Sequence, residues 1–170
     1  AVKADAENEL VVAVFDATGG KQAIGKQNFN KIAKPGGIAY TPCSGIWQTV
    51  WLESVPTAHV ERLKLVPDVD TGCLRVTVAA NKASPAAVEV VALSGRKEVA
   101  RIRGEAGVEL RLPIPKPHLW EPGDPFLYSL KVRLGNDEVT SYFGMRKIAV
   151  GKDEKGLTSL VLNGRPVFQA

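Results

Sequence analysis

Alternation of apolar and polar side chains with a period of two residues recurs along this chain and limits the folds it can adopt. Between residues 73 and 80, Leu74, Val76 and Val78 occupy alternate positions. The segment Phe126–Leu134 repeats the pattern with five apolar residues at every second position. Successive side chains of a strand point to opposite faces, so such segments are predicted to be half-buried β-strands. No segment shows the periodicity typical of a helix.

The pattern predicts nine strands, at Glu9–Asp16, Ile46–Val55, His59–Val66, Cys73–Ala80, Val88–Leu93, Glu98–Arg103, Val108–Leu112, Phe126–Leu134 and Glu138–Val150. The last is expected to bend or bulge near Gly144, because glycine inside a strand often marks a bulge. Five prolines between Leu112 and Pro125 indicate a surface crossover. About seven strands with short turns from Thr71 to Val150 predict an antiparallel, immunoglobulin-like β-sandwich.

The first 56 residues are less self-sufficient. Their two predicted strands flank Ala17–Gly45, a polar loop rich in glycine. Two strands cannot bury two apolar faces alone, so we interpret 1–56 as part of a larger domain. The sandwich is expected over 57–150, and a further hairpin over 151–170, where Asn163-Gly164 favours a type I′ turn.

Composition excludes several classes of function. The formal net charge is only +4, acidic residues are interspersed among the basic ones, and no apolar run could span a bilayer, so neither a nucleic-acid nor a membrane partner is expected. The two cysteines, Cys43 and Cys73, and the two histidines lack the close spacing of a metal site. Two buried thiols are favoured over a disulfide, and no metal or other cofactor is predicted.

Four stretches in order resemble family 2 glycoside hydrolases. Thr41–Glu53 is similar to the last strand region of that family's jelly-roll domain, and Trp120–Tyr128 to a Trp-Pro-Pro-Leu-Tyr segment of its immunoglobulin-like domain. Tyr142–Ile148 resembles the Phe-Gly-Met-Arg strand that follows, and Leu162–Phe168 the hairpin before the catalytic (β/α)8 barrel. The resemblance implies the end of a jelly roll over 1–56, the sandwich over 57–150 and a lead-in hairpin over 151–170.

The resemblance implies a non-catalytic part of a retaining, β-galactosidase-like enzyme. Such enzymes cleave O-glycosidic bonds with two carboxylates, which in this family lie on the barrel, so no catalytic residue is assigned here. The expected partner is an oligosaccharide or glycoside bound by that barrel, and a homo-oligomer is an open alternative. The resemblance is compatible with a periplasmic or extracellular location of the complete enzyme. A free-standing carbohydrate-binding module and a cell-surface structural sandwich remain the alternatives.

The resemblance also identifies residues by role. The jelly-roll loop can contribute to the rim of the active site, for which the polar candidates are Tyr40, Thr41 and Ser44. The residues assigned to structural motifs are Gly45, Trp47, Trp120, Pro125, Tyr128, Gly144, Arg146, Asn163 and Gly164. Core or turn positions are expected for the aromatic members of this set and for Trp51, because aromatic side chains dominate cores.

Overall fold

The computed structural model describes residues 5–16, 26, 34, 36–38, 40–81 and 86–167. The chain divides into two compact units, Ala1–Glu53 and Ser54–Ala170, which are described separately. The described residues form no helix, and therefore no apolar helix of membrane-spanning length. The fold is all-β, as the alternating pattern predicts.

The described residues of the second unit form ten strands: β1 (Val60–Asp68), β2 (Cys73–Ala80), β3 (Ala87–Ser94), β4 (Lys97–Glu105), β5 (Glu109–Pro113), β6 (Tyr128–Leu134), β7 (Asp137–Phe143), β8 (Ile148–Lys152), β9 (Thr158–Leu162) and β10 (Arg165–Pro166). They make three antiparallel sheets, with strand orders β1-β2-β5, β4-β3-β6-β7 and β10-β9-β8. The first two sheets form the predicted sandwich.

A single apolar layer joins these two sheets. Alternate side chains of β2, β5, β3 and β6 enter it and are almost fully buried. Its fully buried side chains include Leu74, Val76, Val78, Val90, Leu112, Ile114, Leu130, Val132 and Met145. A buried carboxylate adds a polar link, since Asp137 on β7 accepts a 2.8 Å hydrogen bond from the backbone N–H of Val60 on β1.

The predicted alternation holds through most of the sandwich and fails where the strands are irregular. Strand β6 alternates strictly between buried and exposed residues. A bulge between Val60 and Arg62 shifts the register of β1 by one residue, so that Val60 and Leu63 both contact the core. Val108, the first residue of the strand predicted over Val108–Leu112, precedes β5 and is half exposed.

The prediction of a single strand over Glu138–Val150 is wrong in one respect, because this segment forms two strands in different sheets. β7 ends at Phe143, and β8 begins at Ile148 and pairs with β9. A Cβ at Gly144 would lie 3.1 Å from Cβ of Trp120, closer than most real Cβ contacts. The crossover thus packs on the chain at this glycine, and the chain leaves the sheet there.

The first unit does not contain the two predicted strands. The described residues 7–16 and 46–55 have no regular secondary structure. Their apolar side chains are largely exposed: Phe15 and Leu52 are each 92% exposed and Leu10 82%. A strand needs neighbours that pair with its backbone and cover its side chains, and alternation alone cannot supply them. The predicted loop Ala17–Gly45 lies mainly outside the described residues.

Charged side chains of alternating sign cover the outer face of the four-stranded sheet. Arg103, Glu89, Arg133 and Glu138 are successive cross-strand neighbours on β4, β3, β6 and β7. Glu89 lies 2.7 Å from Arg103 and 2.6 Å from Arg101. We call this row the charge ladder; opposite charges on neighbouring strands stabilise a sheet.

Hydrogen bonds from arginines lower the pKa of two ladder carboxyl groups. Arg103, followed by Arg101, holds the pKa of Glu89 below its ordinary value. Arg133 has the same effect on the pKa of Glu138. A pKa lowered by folding stabilises the folded state above the unfolded-state pKa, and this contribution disappears as pH falls through the folded-state value.

We therefore predict that Glu89→Gln reduces the pH dependence of unfolding below about pH 5, near the ordinary glutamate pKa. In the parent chain, the free energy of unfolding should fall more steeply on acidification than in the variant. Urea denaturation at several pH values measures this difference. Glu154→Gln, which replaces an exposed turn carboxylate, is the matched control. Equal pH dependence in the parent and Glu89→Gln chains would contradict the role given to the ladder.

Candidate functional site

The three rim candidates lie close together in sequence in the first unit. Tyr40, Thr41 and Ser44 are exposed. The Tyr40 backbone N–H donates a 2.8 Å hydrogen bond to the carbonyl of Lys26, and the Ser44 hydroxyl donates to the carboxylate of Asp16. These polar groups are accessible to a ligand.

The aromatic residues expected in a core of the first unit are on its surface instead. Trp47 is 87% and Trp51 72% exposed, and the Trp51 indole N–H donates to the Glu53 carboxylate at 3.0 Å. Gly45 has a φ of 130°, in the region that favours glycine. The sequence singled out Gly45 as a structural residue. The sequence does not show which residues, if any, cover Trp47 and Trp51.

In the second unit, four of the motif residues predicted from the sequence, Trp120, Gly144, Arg146 and Asn163, lie at one place. Asn163 follows β9, and its side-chain amide donates a 3.0 Å hydrogen bond to the carbonyl of Trp120. The side-chain oxygen of Asn163 accepts from the Lys147 N–H at 2.9 Å, and the Asn163 N–H donates to the Lys147 carbonyl at 2.8 Å. Asn163 thus links the terminal hairpin, the segment after Gly144 and the proline-rich crossover. We call Trp120, Gly144, Arg146, Lys147 and Asn163 the junction.

Ring and backbone contacts complete the junction. The Arg146 guanidinium lies 4.6 Å from the ring centroid of Trp120, a cation–π contact. The backbone N–H of Trp120 donates a 2.9 Å hydrogen bond to the carbonyl of Met145. Trp120 is half-buried.

The hairpin turn has the backbone conformation that its sequence favours. Asn163 has a φ of 52° and Gly164 a φ of 80°. A type I′ turn requires positive φ at both central residues, which Asn-Gly tolerates best. The turn therefore places the Asn163 side chain beside the crossover.

An aromatic stack holds the other end of the crossover. The Tyr128 hydroxyl accepts a 2.8 Å hydrogen bond from the backbone N–H of His118, and the Tyr128 ring stacks on Phe143 at 5.1 Å between centroids. His118 stacks on Phe126 at 4.2 Å, and its Nε2 lies 2.6 Å from Asp124. Pro125, between Asp124 and Phe126 in the sequence, is exposed and lies just before β6. Sequence reasoning missed His118, whose only signal was its position among prolines.

Two open clefts flank the junction. One, of about 540 Å³, is mainly apolar and is lined by Leu65, Pro67, Trp120, Leu127, Tyr142, Phe143, Gly144, Arg146 and Ile148. The other, of about 420 Å³, lies between the crossover and the hairpin and is more polar, with His118, Glu121, Asp124 and Arg165 in its lining.

Four carboxyl groups of this unit accept hydrogen bonds from neighbouring residues. The pKa values of Asp68, Glu89, Glu98 and Glu138 are all lowered, by a hydrogen bond from Thr71 for Asp68 and from arginines for the others. A general acid in glycoside cleavage requires a raised pKa, so these four carboxyl groups are unsuited to that role. The described residues contain no group of three or more side chains that could hold a metal ion.

Comparison with known proteins identifies a family over the sandwich. The model of the family "Glycosyl hydrolases family 2" matches residues 58–146, just over half of the chain. A β-glucuronidase of Rattus norvegicus is 29% identical over 138 residues, covering 74% of this chain and 20% of the relative. A β-galactosidase of Halalkalibacterium halodurans is 25% identical over 174 residues, covering 96% of this chain and 16% of the relative.

Solved structures of similar fold agree. The apo β-glucuronidase of Ruminococcus gnavus superposes with a TM-score of 0.56 at 20% identity, covering 67% of this chain and 19% of that one. A β-glucuronidase of Lactobacillus rhamnosus gives the same TM-score at 22% identity and the same coverage of both chains. The chain spans about a fifth of the length of the curated relatives it matches, or less.

We predict that Asn163→Gly, which tolerates the positive φ at this position, lowers the free energy of unfolding by about 1–3 kcal/mol, because it leaves the half-buried Trp120 carbonyl and the exposed Lys147 N–H without their partner. Denaturant unfolding measures this loss. Asn136→Gly, which adds the same backbone freedom at an exposed position of another turn, is the matched control and should lower the free energy of unfolding by less than about 1 kcal/mol. Equal effects of the two substitutions would show that the junction contributes no more than an ordinary turn.

Proposed function

The chain belongs to glycosyl hydrolases family 2, and on this basis we propose that it is a non-catalytic β-sandwich portion of a longer enzyme that hydrolyses O-glycosidic bonds. The family match across residues 58–146 is the observation that carries the proposal. The matched relatives are themselves glycoside hydrolases. Since the chain covers only about a fifth of their length, most of the chemistry of such an enzyme would lie outside it.

The proposed task of the sandwich is to fix the position of a catalytic barrel. The junction supports this task because Asn163 connects the terminal hairpin to both the crossover and the segment after Gly144. A chain that continues beyond this hairpin would leave the sandwich in a defined direction.

The first 56 residues are proposed to be the end of a jelly-roll domain, 57–150 the sandwich, and 151–170 the lead-in hairpin. The exposed apolar side chains of the first unit, such as Phe15 and Leu52, support the first assignment, because further strands would cover them. Within that domain Tyr40, Thr41 and Ser44 are proposed to lie at the rim of the active site. The substrate is proposed to be a β-glycoside of the β-galactoside or β-glucuronide class.

One observation favours a second function. Trp47 and Trp51 are both largely exposed, and exposed aromatic rings are the surfaces on which sugars stack. A carbohydrate-binding module is therefore the alternative to a scaffold. The two functions differ in a measurable way, since a module binds free oligosaccharide without the barrel.

The proposal is tested by expressing two proteins, the 170-residue chain and the product of the complete reading frame that encodes it. Hydrolysis of p-nitrophenyl β-D-glucuronide and β-D-galactoside is measured for both. The 170-residue chain should show no turnover, because its proposed role needs no catalytic carboxylates. The complete product should hydrolyse at least one of the two glycosides. Isothermal titration of galacto- and glucurono-oligosaccharides into the 170-residue chain should give no heat of binding.

Turnover by the 170-residue chain, lost on substitution of one of its own acidic residues, would overturn the non-catalytic assignment. A complete product that folds but hydrolyses neither glycoside would overturn the proposed activity. Oligosaccharide binding that is lost in Trp47→Ala or Trp51→Ala would replace the scaffold function with the carbohydrate-binding module.

A further inference from the structure

The side-chain amide of Asn163 is hydrogen-bonded at both of its polar atoms to segments that are distant in the sequence. Its nitrogen donates to the Trp120 carbonyl at 3.0 Å, and its oxygen accepts from the backbone N–H of Lys147 at 2.9 Å. One partner can only accept and the other can only donate, so the two contacts together require an NH2 group and an oxygen. An ionised carboxylate resembles the amide in shape but only accepts, so it could not keep the hydrogen bond to Trp120.

The residue that follows Asn163 makes this amide chemically reactive. Asn163-Gly164 is the only Asn-Gly pair in the chain. Gly164 is exposed, has no Cβ to shield its backbone nitrogen, and lies outside the ladder of β9 and β10, whose first pair is Leu162 and Arg165. An electrophilic amide carbon and an accessible nitrogen nucleophile are therefore on adjacent residues.

We propose that Asn163 is a deamidation site and that the junction controls its reaction. The backbone nitrogen of Gly164 attacks Cγ of Asn163, a C–N bond forms, and the bond from Cγ to Nδ2 breaks. The side-chain nitrogen leaves as ammonia with the proton that Gly164 loses, and a succinimide ring remains. Water then adds to one of the two ring carbonyls, which gives aspartate or isoaspartate at position 163. This chemistry does not depend on the glycoside hydrolysis proposed above.

The folded junction opposes the first step. An attacking atom must come within about 3–3.5 Å of the carbon in an aligned geometry. The two hydrogen bonds hold the amide toward Trp120 and Lys147, so it turns toward Gly164 only when they break. Such local opening needs less free energy than global unfolding and is easiest where few apolar contacts hold an element. The exposed apolar side chains of β8 and β9 indicate that the sheet of β8, β9 and β10 is such an element.

Deamidation would make this opening irreversible. Aspartate at position 163 would place a carboxylate oxygen against the carbonyl oxygen of Trp120. Isoaspartate would also add a methylene group to the backbone of a turn whose φ angles of 52° and 80° suit two ordinary residues. The hairpin of β9 and β10 would lose its hydrogen bond to the crossover, whereas the core of the sandwich, which includes neither Asn163 nor Trp120, would stay folded.

Peptide mass spectrometry tests the proposal on the 170-residue chain, incubated at mildly alkaline pH with and without guanidinium chloride. The mass gain from replacing NH2 by OH, together with isoaspartate-specific methylation, identifies the products at position 163. Conversion of Asn163 should be about tenfold or more faster in guanidinium chloride, because the folded junction suppresses the reactive opening. Asn136, which is exposed in another turn and precedes Asp137, is the internal control. It should convert more slowly than Asn163 in guanidinium chloride, because a side chain follows it.

A pair of variants separates the junction from its surroundings. Trp120→Ala removes the ring that packs at Gly144 and contacts Arg146, so it should speed the conversion of Asn163 in native buffer about threefold or more. Tyr142→Ala removes a ring from the same cleft but outside the junction, and it should change that rate less than about twofold. Denaturant unfolding curves establish that both variants are folded.

A third variant tests the consequence of the reaction without requiring it. Asn163→Asp should raise the hydrogen-exchange rate of residues 158–166 several-fold, because the hairpin has lost its donor to Trp120. The exchange of Tyr128–Leu134 should remain that of the parent chain.

Four outcomes would overturn the proposal. Absence of conversion at Asn163 in guanidinium chloride would exclude the site. Equal conversion with and without guanidinium chloride, or equal rates in the Trp120→Ala and Tyr142→Ala chains, would show that the junction does not control the reaction. Unchanged exchange of residues 158–166 in Asn163→Asp would show that the hairpin tolerates a carboxylate at this position.

Discussion

The apolar layer between the two sheets of the sandwich is the constraint on which the rest of the second unit depends. Alternate residues of β2 and β6 are removed from water in this layer, and Leu74, Val132 and their neighbours contact side chains from the opposite sheet. A shift of one residue in either strand would exchange its buried and exposed side chains, so this layer also fixes the strand register. The outer faces follow from that register: the charge ladder on one sheet and the opposed Arg75 and Arg111 on the other occupy the positions that the core leaves to solvent.

The junction connects the sandwich to the third, small sheet. Strands β8, β9 and β10 form a small sheet with exposed residues such as Ile148 and Leu160, and three strands of this length bury little apolar area on their own. Asn163 donates a hydrogen bond to the crossover and accepts one from the Lys147 N–H, and these bonds give the small sheet an attachment that does not rely on a core. For a chain of glycosyl hydrolases family 2, such an attachment is where a scaffold would transmit its rigidity to a catalytic domain.

Sequence reasoning was most successful where structure follows from local chemistry. The strand Cys73–Ala80 was predicted with the observed bounds, and the Asn163-Gly164 turn has the expected backbone angles, because alternation and positive φ are properties of a few residues. It failed where the structure depends on contacts between segments that are distant in the sequence. Nothing in the alternation of Glu138–Val150 reveals that Trp120 packs at Gly144, and the apolar residues of Ile46–Val55 form a strand only beside pairing partners. Likewise, the opposition of Arg75 and Arg111 depends on register between strands more than 30 residues apart, which a single sequence does not show.

The central claim is that the sandwich alone carries the cooperative stability of this chain, whereas the first unit depends on surfaces outside it. Amide hydrogen exchange measured by mass spectrometry with peptide resolution tests this claim most directly. Amides of Tyr128–Leu134 should exchange only through global unfolding, and those of residues 46–52 should exchange at close to the rate of an unstructured peptide. Equal and strong protection in the two segments would contradict the account, because the first unit would then form a folded structure without further partners.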